Sequence, residues 1–187
     1  FKSPGEVQGA HFFPKIPKPE NLLMVLRLQA DPFTGLILKL NVWKWIFNSV
    51  FVAAWVTTLQ VITSSMAAYA FSRIRWRGRD QLFVVYLATM MIPGMVLCLP
   101  QFQIMIKLNM VNTYYGLIIP GAFSAFGTFL LRQFMLGIPL SYNEAAEMDG
   151  ASHLQIYLDV IMPLMKPGII TLAVFTFLGS YRSLLWP

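Results

Sequence analysis

Eight acidic residues occur in the 187, and half of them lie between Ile138 and Pro167: Glu144, Glu147, Asp149 and Asp159, with His153 among them. Carboxylates beside an imidazole are the raw material of acid–base or metal chemistry, so their spacing decides whether a site is present. The other histidine, His11, is far away in sequence. Neither H-E-x-x-H nor another metal-ligand spacing occurs, and His153 reads as a surface residue. Asp149 and Asp159 read as members of a solvated face. The long apolar runs offer only hydroxyls, amides and Cys98, so an intramembrane enzyme would lack a converging nucleophile and base. No phosphate-binding G-x-x-x-x-G-K-[ST] is present either. The chain is expected to be no enzyme, and to need no cofactor or metal.

The same spacing makes sense as architecture. Pro139 ends one helix, and Ser141 with Glu144 has the S-x-x-E spacing of a capping box that starts another. Gly150 permits a left-handed or sharply bent backbone after the short run EAAEMD. ASHLQIYLDVIM then resumes a helical period, with Leu154, Tyr157, Leu158 and Ile161 on one face, until Pro163 stops it. The expected product is an amphipathic helix, a bend and a second helix outside the bilayer. Ala145 and Ala146 would let another surface approach closely, which is the shape of a docking element.

What surrounds that element is membrane. Hydrophobic residues make up 57% of the chain and charged ones 12%, half the charged share of a soluble globular domain. Uncharged runs from Trp45 to Ser72, Gln81 to Ile106 and Leu108 to Leu131 each exceed the roughly 20 residues that cross a bilayer. Three spans are therefore expected. A fourth run, Pro167 to Tyr181, is interrupted by Arg182 and reads as a span cut short. Pro93 and Pro100 should kink the second run; broken helices can line a polar pathway and can equally be plain kinks. Ser64, Ser65, Ala67 and Ala68 read as close helix packing.

Arg73, Arg75, Arg77 and Arg79 crowd the end of the first span, which places that end in the cytoplasm by the positive-inside rule. Alternation puts 107–113 outside, 138–167 inside and 1–44 outside. The formal charge of +6 is thus topology and lipid-headgroup contact. Nucleic-acid binding does not fit basic residues dispersed along membrane boundaries. Two regions follow: an extracytoplasmic stretch, 1–44, punctuated by proline and glycine, with one or two helical turns at NLLMVLRLQ; and a transmembrane core, 45–187. Trp43 and Trp45 would sit at headgroup depth. Because position 1 is Phe and the sequence stops in apolar residues, a piece of a longer polypeptide is expected.

The pattern E-A-A, three residues, G, nine residues, aliphatic-x-aliphatic-P is met by Glu144, Ala145, Ala146, Gly150, Val160, Met162 and Pro163. It resembles the cytoplasmic signature loop of permease subunits of binding-protein-dependent ATP-binding-cassette importers. Val160 and Met162 stand where the family usually has Ile and Leu. SSMAAYAFSRIRWRGRD, LPQFQIMIKLNMVNTYYGLIIP and FLGSYRSLLWP are similar to segments of its carbohydrate-transport branch, the maltose-type permeases. In the last of these, Tyr181 and Arg182 replace the usual Trp and Asn. A cation within a span is costly unless it faces a cavity or a partner.

The resemblance implies an all-α, polytopic transmembrane helical bundle of the MetI-like kind, truncated at both ends, in the inner membrane. It implies half of a translocation path for a solute, by branch a sugar. The partners would be a second permease subunit, a cytoplasmic ATPase dimer, an extracytoplasmic solute-binding protein and membrane lipid. Glu144, Ala145, Ala146, Gly150 and Pro163 would couple to the ATPase; Pro93, Tyr181 and Arg182 are candidates for the path. An ion-coupled secondary transporter or channel subunit is the alternative, although no carboxylate lies in the first two runs. A structural subunit that merely anchors an ATPase would keep the loop and tolerate any change in the spans.

Overall fold

A computed structural model describes residues 42–183. The helical turns expected at NLLMVLRLQ lie outside the described residues, as do Trp186 and Pro187. Two compact units, Phe1–Ser49 and Val50–Pro187, divide the chain; the packing below is that of the second. No strand occurs among the described residues.

The helices are α1 (Val42–Ser72), α2 (Arg79–Ala88), α3 (Gly94–Lys107), α4 (Tyr114–Ile118), α5 (Ala125–Leu136), α6 (Ser141–Met148), α7 (His153–Leu164) and α8 (Lys166–Tyr181). Among the described residues α1 alone is long and apolar enough to cross a membrane, and up to four spans result if each bent pair is one span. The second apolar run is thus not a straight span. Arg79–Met91 and Gly94–Lys107 meet at 96°. Ile92, extended at φ −80° and ψ 118°, precedes Pro93, as a residue before proline must when its α conformation clashes with the ring. Pro100 lies within α3 without ending it. The third run starts with a loop, then bends by 41° between Tyr114–Ala122 and Ala125–Leu136. Asn109 and Asn112 turn that loop with φ of 54° and 60°, a region asparagine tolerates better than most residues. Thr113 caps α4 by accepting from the Gly116 amide. A Cβ on Gly116 would stand 2.3 Å from the Met110 carbonyl oxygen.

Contacts fix the directions. Gly121 packs on Val56 and Gly127 on Ser64, Thr63 donates to the Ala122 carbonyl and Ser72 to the Met135 sulfur; both numbers rise together, so α1 and α5 are parallel. Tyr86 bonds Thr128 while Phe83 lies beneath Arg132, so α2 is antiparallel to α5. Leu172 meets Gly127 and Gly168 meets Phe134, so α8 is antiparallel too. This is the alternation the apolar runs imply.

The core gathers at one end of the bundle: Ala68 and Tyr69 of α1, Leu131 and Met135 of α5, Ile156, Tyr157 and Ile161 of α7, Met165 and Leu172. α7 differs from its expected register. Ile156–Ile161 is a π-helix, so the buried side steps by four or five residues, through Ile156, Tyr157, Ile161 and Met165, while Leu154 and Leu158 are exposed. Pro163 sits inside the helix and does not stop it. A proline ring clashes with the carbonyl four residues before it, and the wider turn gives it room. Tyr157 hydroxyl bonds Ser65 at 2.7 Å and its ring leans on Tyr69, which anchors the turn. The break comes at Met165, and α8 leaves at 78°.

Where lipid surrounds helices on their outer side, association rests on close packing of small residues. Gly127 is such a point, since an added Cβ would lie 2.6 Å from Ser64 Oγ. Gly127→Ala is expected to destabilise by about 1–3 kcal/mol, read as an earlier thermal midpoint in detergent. Adding Ser64→Ala, which removes the obstructing oxygen, should recover part of the loss. The π register makes a second prediction. Ile161→Ala should cost about 2–5 kcal/mol and Leu158→Ala far less; equal losses would restore the ordinary helical register.

Candidate functional site

The segment expected to dock begins where α5 ends. Its last amides close a tight turn, Gly137 donating to the Phe134 carbonyl and Ile138 to the Met135 carbonyl. Leu140 is already helical, and the Asn143 and Glu144 amides both donate to its carbonyl at 2.9 and 3.1 Å. Ser141 is therefore inside α6, and the S-x-x-E capping box does not form: no side chain caps this end. The Pro139–Leu140 carbonyls take the first amides instead. A capping box stands one element later, where Ser152 Oγ accepts from the Gln155 amide and Gln155 Oε1 accepts from the Ser152 amide at 2.8 Å.

α6 has two faces. Asn143 is buried and Ala146 half-buried against the core. Ser141, Tyr142, Glu144, Ala145 and Met148 are exposed, Met148 at 88%. Of the two alanines, then, Ala145 stands at the outer surface. The ion pairs among the described residues are Arg79–Asp80 and Arg132–Asp80, so among these residues Glu144 is committed to neither a cap nor a cation. Glu147 lies within electrostatic reach of Tyr69.

Gly150 ends α6 at φ 80°. Its amide donates to the Glu147 carbonyl and that of Ala151 to the Ala146 carbonyl at 2.9 Å, the paired bonds of a Schellman motif. Ala146 and Ala151, the motif's apolar pair, both pack on the core. A Cβ on Gly150 would meet nothing within 4 Å; the glycine is there for its backbone. The structure thus joins Glu144, Ala145, Ala146 and Gly150 in one helix-and-bend unit. Pro163 is exposed in the helix that follows. Pro93 begins α3, and Tyr181 and Arg182 end α8, with Tyr181 stacked on Phe177; none of the three belongs to that unit.

Arg73, one of the arginines that mark the end of the first span, and Arg132 of α5 have a further role. Arg73 Nη2, just past α1, donates to the Met135 carbonyl and, at 2.7 Å, to the Ile138 carbonyl. Arg132, in α5, donates through Nε to the Phe71 carbonyl at 3.2 Å and covers the Phe83 ring at 4.2 Å. Each helix sends an arginine to the other's C-terminal carbonyls. An arginine just past the end of one helix and another a turn before the end of the second are the sequence signal for such an exchange, but only their parallel packing reveals it.

Comparison with known proteins follows the same outline. The model of the family described as "Binding-protein-dependent transport system inner membrane component" matches residues 60–187. The arabinooligosaccharides transport system permease protein AraQ of Halalkalibacterium halodurans is 37% identical over 145 residues, 78% of this chain and 52% of that one. AraQ of Bacillus subtilis is 33% identical over 179 residues, 91% of this chain and 64% of that one. The sn-glycerol-3-phosphate transport system permease protein UgpE of Escherichia coli K12 is 38% identical over 146 residues, 78% and 52% of the two chains. A solved bacterial ABC transporter involved in the import of the acidic polysaccharide alginate superposes with a TM-score of 0.72 at 29% identity, covering 96% of this chain and 60% of that one. The chain spans from about half to just under two-thirds of these relatives' lengths. A family match over most of the sequence and a shared helical fold, with the E-A-A and glycine positions meeting in one exposed unit, lead to one conclusion: the chain belongs to the binding-protein-dependent transport system inner membrane component family of ABC-transporter permeases.

Proposed function

We propose that this chain is the membrane-spanning part of a permease subunit in an ATP-driven importer, that its solute is a carbohydrate, and that α6 with its Gly150 bend is the surface on which a cytoplasmic ATPase acts. The observation that carries the reading is the two-faced α6: Asn143 and Ala146 tie it to the permease core while Glu144, Ala145 and Met148 stand clear of it. A helix fixed by one face and bare on the other transmits a push from outside to the helices beneath. Glu144 would meet a cation of the ATPase, Ala145 would admit its surface closely, and Gly150 would set the angle to α7, whose Pro163 lies in the same segment.

ATP hydrolysis would then reside on the ATPase dimer, with a second permease subunit completing the path and a solute-binding protein delivering from outside. The arginine end of α1 would face the cytoplasm, in a multi-pass subunit of the inner membrane. The names of the relatives support a hydroxyl-rich solute: arabinooligosaccharides and sn-glycerol-3-phosphate for two of them, alginate for the structural neighbour. Pro93 at the break between α2 and α3, and Tyr181 with Arg182 at the end of α8, remain candidates for the path. An exposed Arg182 at the C-cap of α8 also complements the helix dipole.

The test uses the full-length permease with Cys98 replaced and one cysteine introduced, co-expressed with candidate ATPases. Met148→Cys and Ala145→Cys are expected to form disulfide cross-links to an ATPase groove that change with ATP, while Ala146→Cys, half-buried, reacts weakly. A folded, thiol-reactive protein that captures no ATPase from either exposed site would sink the coupling role and favour ion-driven transport.

A further inference from the structure

The four residues from Gly137 to Leu140 that join α5 to α6 contain a glycine, and a push on α6 would be lost if the chain simply rotated there. Arg73 closes that joint. One nitrogen of its guanidinium binds the Met135 carbonyl before Gly137 and the Ile138 carbonyl after it, so the arginine spans the glycine from a different helix. Met135 lies in the last turn of α5 and Ile138 just beyond its cap, where the negative end of the helix dipole strengthens a bond from a cation. Arg132 returns the contact by donating to the Phe71 carbonyl, and Ile74, next to Arg73, packs on the same core as Ile138 and Ala146. Ends of α1 and α5 and the entrance to α6 are thereby bonded into one block.

We propose that Arg73 is a positioning residue of the transport cycle: by bridging Met135 and Ile138 across Gly137 it makes α6 and the end of α1 move as one body. This rests on the reading of α6 as the ATPase contact. A lysine would keep the charge but, with a single ammonium on a longer stem, would hold the two carbonyls less rigidly.

The experiment uses the full-length permease assembled with its ATPase, with Cys98 replaced and spin labels at Met148→Cys and Arg77→Cys, both exposed. The distance between the labels is measured without nucleotide and with ATP trapped by vanadate. With Arg73 intact, one narrow distance that is the same in both states is expected. In Arg73→Met the distribution should broaden and shift between states, with Arg73→Lys intermediate. A distance that changes between states while Arg73 is present, or an Arg73→Met distribution no broader than the parent's, overturns the inference. The first of these needs no Arg73 variant, so a variant that fails to assemble does not shield the proposal. Failure of Met148→Cys to cross-link to the ATPase would instead overturn the reading on which it rests.

Discussion

Two helices that run parallel and end side by side face an electrostatic problem. Each leaves about four carbonyls without intrahelical donors, and each ends in the negative pole of its dipole. α1 and α5 end together in this way, and the exchange of Arg73 and Arg132 between them turns mutual repulsion into cross-bonding. Much else in the second unit depends on this. The core of Tyr69, Met135, Ile156 and Ile161 lies at that end of the bundle, α6 departs from it within four residues, and α2 is held to it by the Phe83 ring under Arg132.

Away from that end the packing changes character. Ser64 meets Gly127 and Val56 meets Gly121, contacts too close for any larger residue. In a bilayer the surrounding lipid is as apolar as the helices, so shape and not hydrophobicity holds them together. The many exposed apolar side chains of α3 and α8, among them Val96, Leu99, Ile170 and Phe175, suit an environment of lipid or neighbouring subunits.

How much of this was legible beforehand differs from residue to residue. Runs of apolar residues declare membrane helices because composition alone fixes that property, and the E-A-A and glycine spacing marked the segment that α6 and its bend occupy. Gly150 was readable as a left-handed helix end because no other residue takes that backbone so easily. The break at Ile92–Pro93 was readable as a kink, but not its 96° bend, since the angle depends on what the two halves pack against. Ser141 misled: a capping pattern specifies possible bonds, and the Pro139–Leu140 turn supplied carbonyls to the same amides first. The face of α7 misled because a period of 3.6 was assumed where Tyr157, bonded to Ser65, and Pro163 accompany a wider turn. Arg73 looked like a topology signal and Arg132 gave no signal by itself, because their acceptors are backbone carbonyls on distant elements, invisible in any local pattern.

The π turn at Ile156–Ile161 also bears on how this segment can change over generations. A wide turn holds one residue more than the α-helix it interrupts, so losing a single residue there would let an unbroken α-helix form. Each residue of an α-helix turns the next by about 100°, and the wide turn takes up that angle for its surplus residue. Such a deletion would therefore leave Pro163, Met165 and all of α8 in nearly the same phase relative to the bend at Gly150, while a deletion in an ordinary α stretch of the same segment would rotate them. The turn behaves as a phase buffer between α6 and α8. A gain or loss of one residue is better absorbed there than anywhere else along α7.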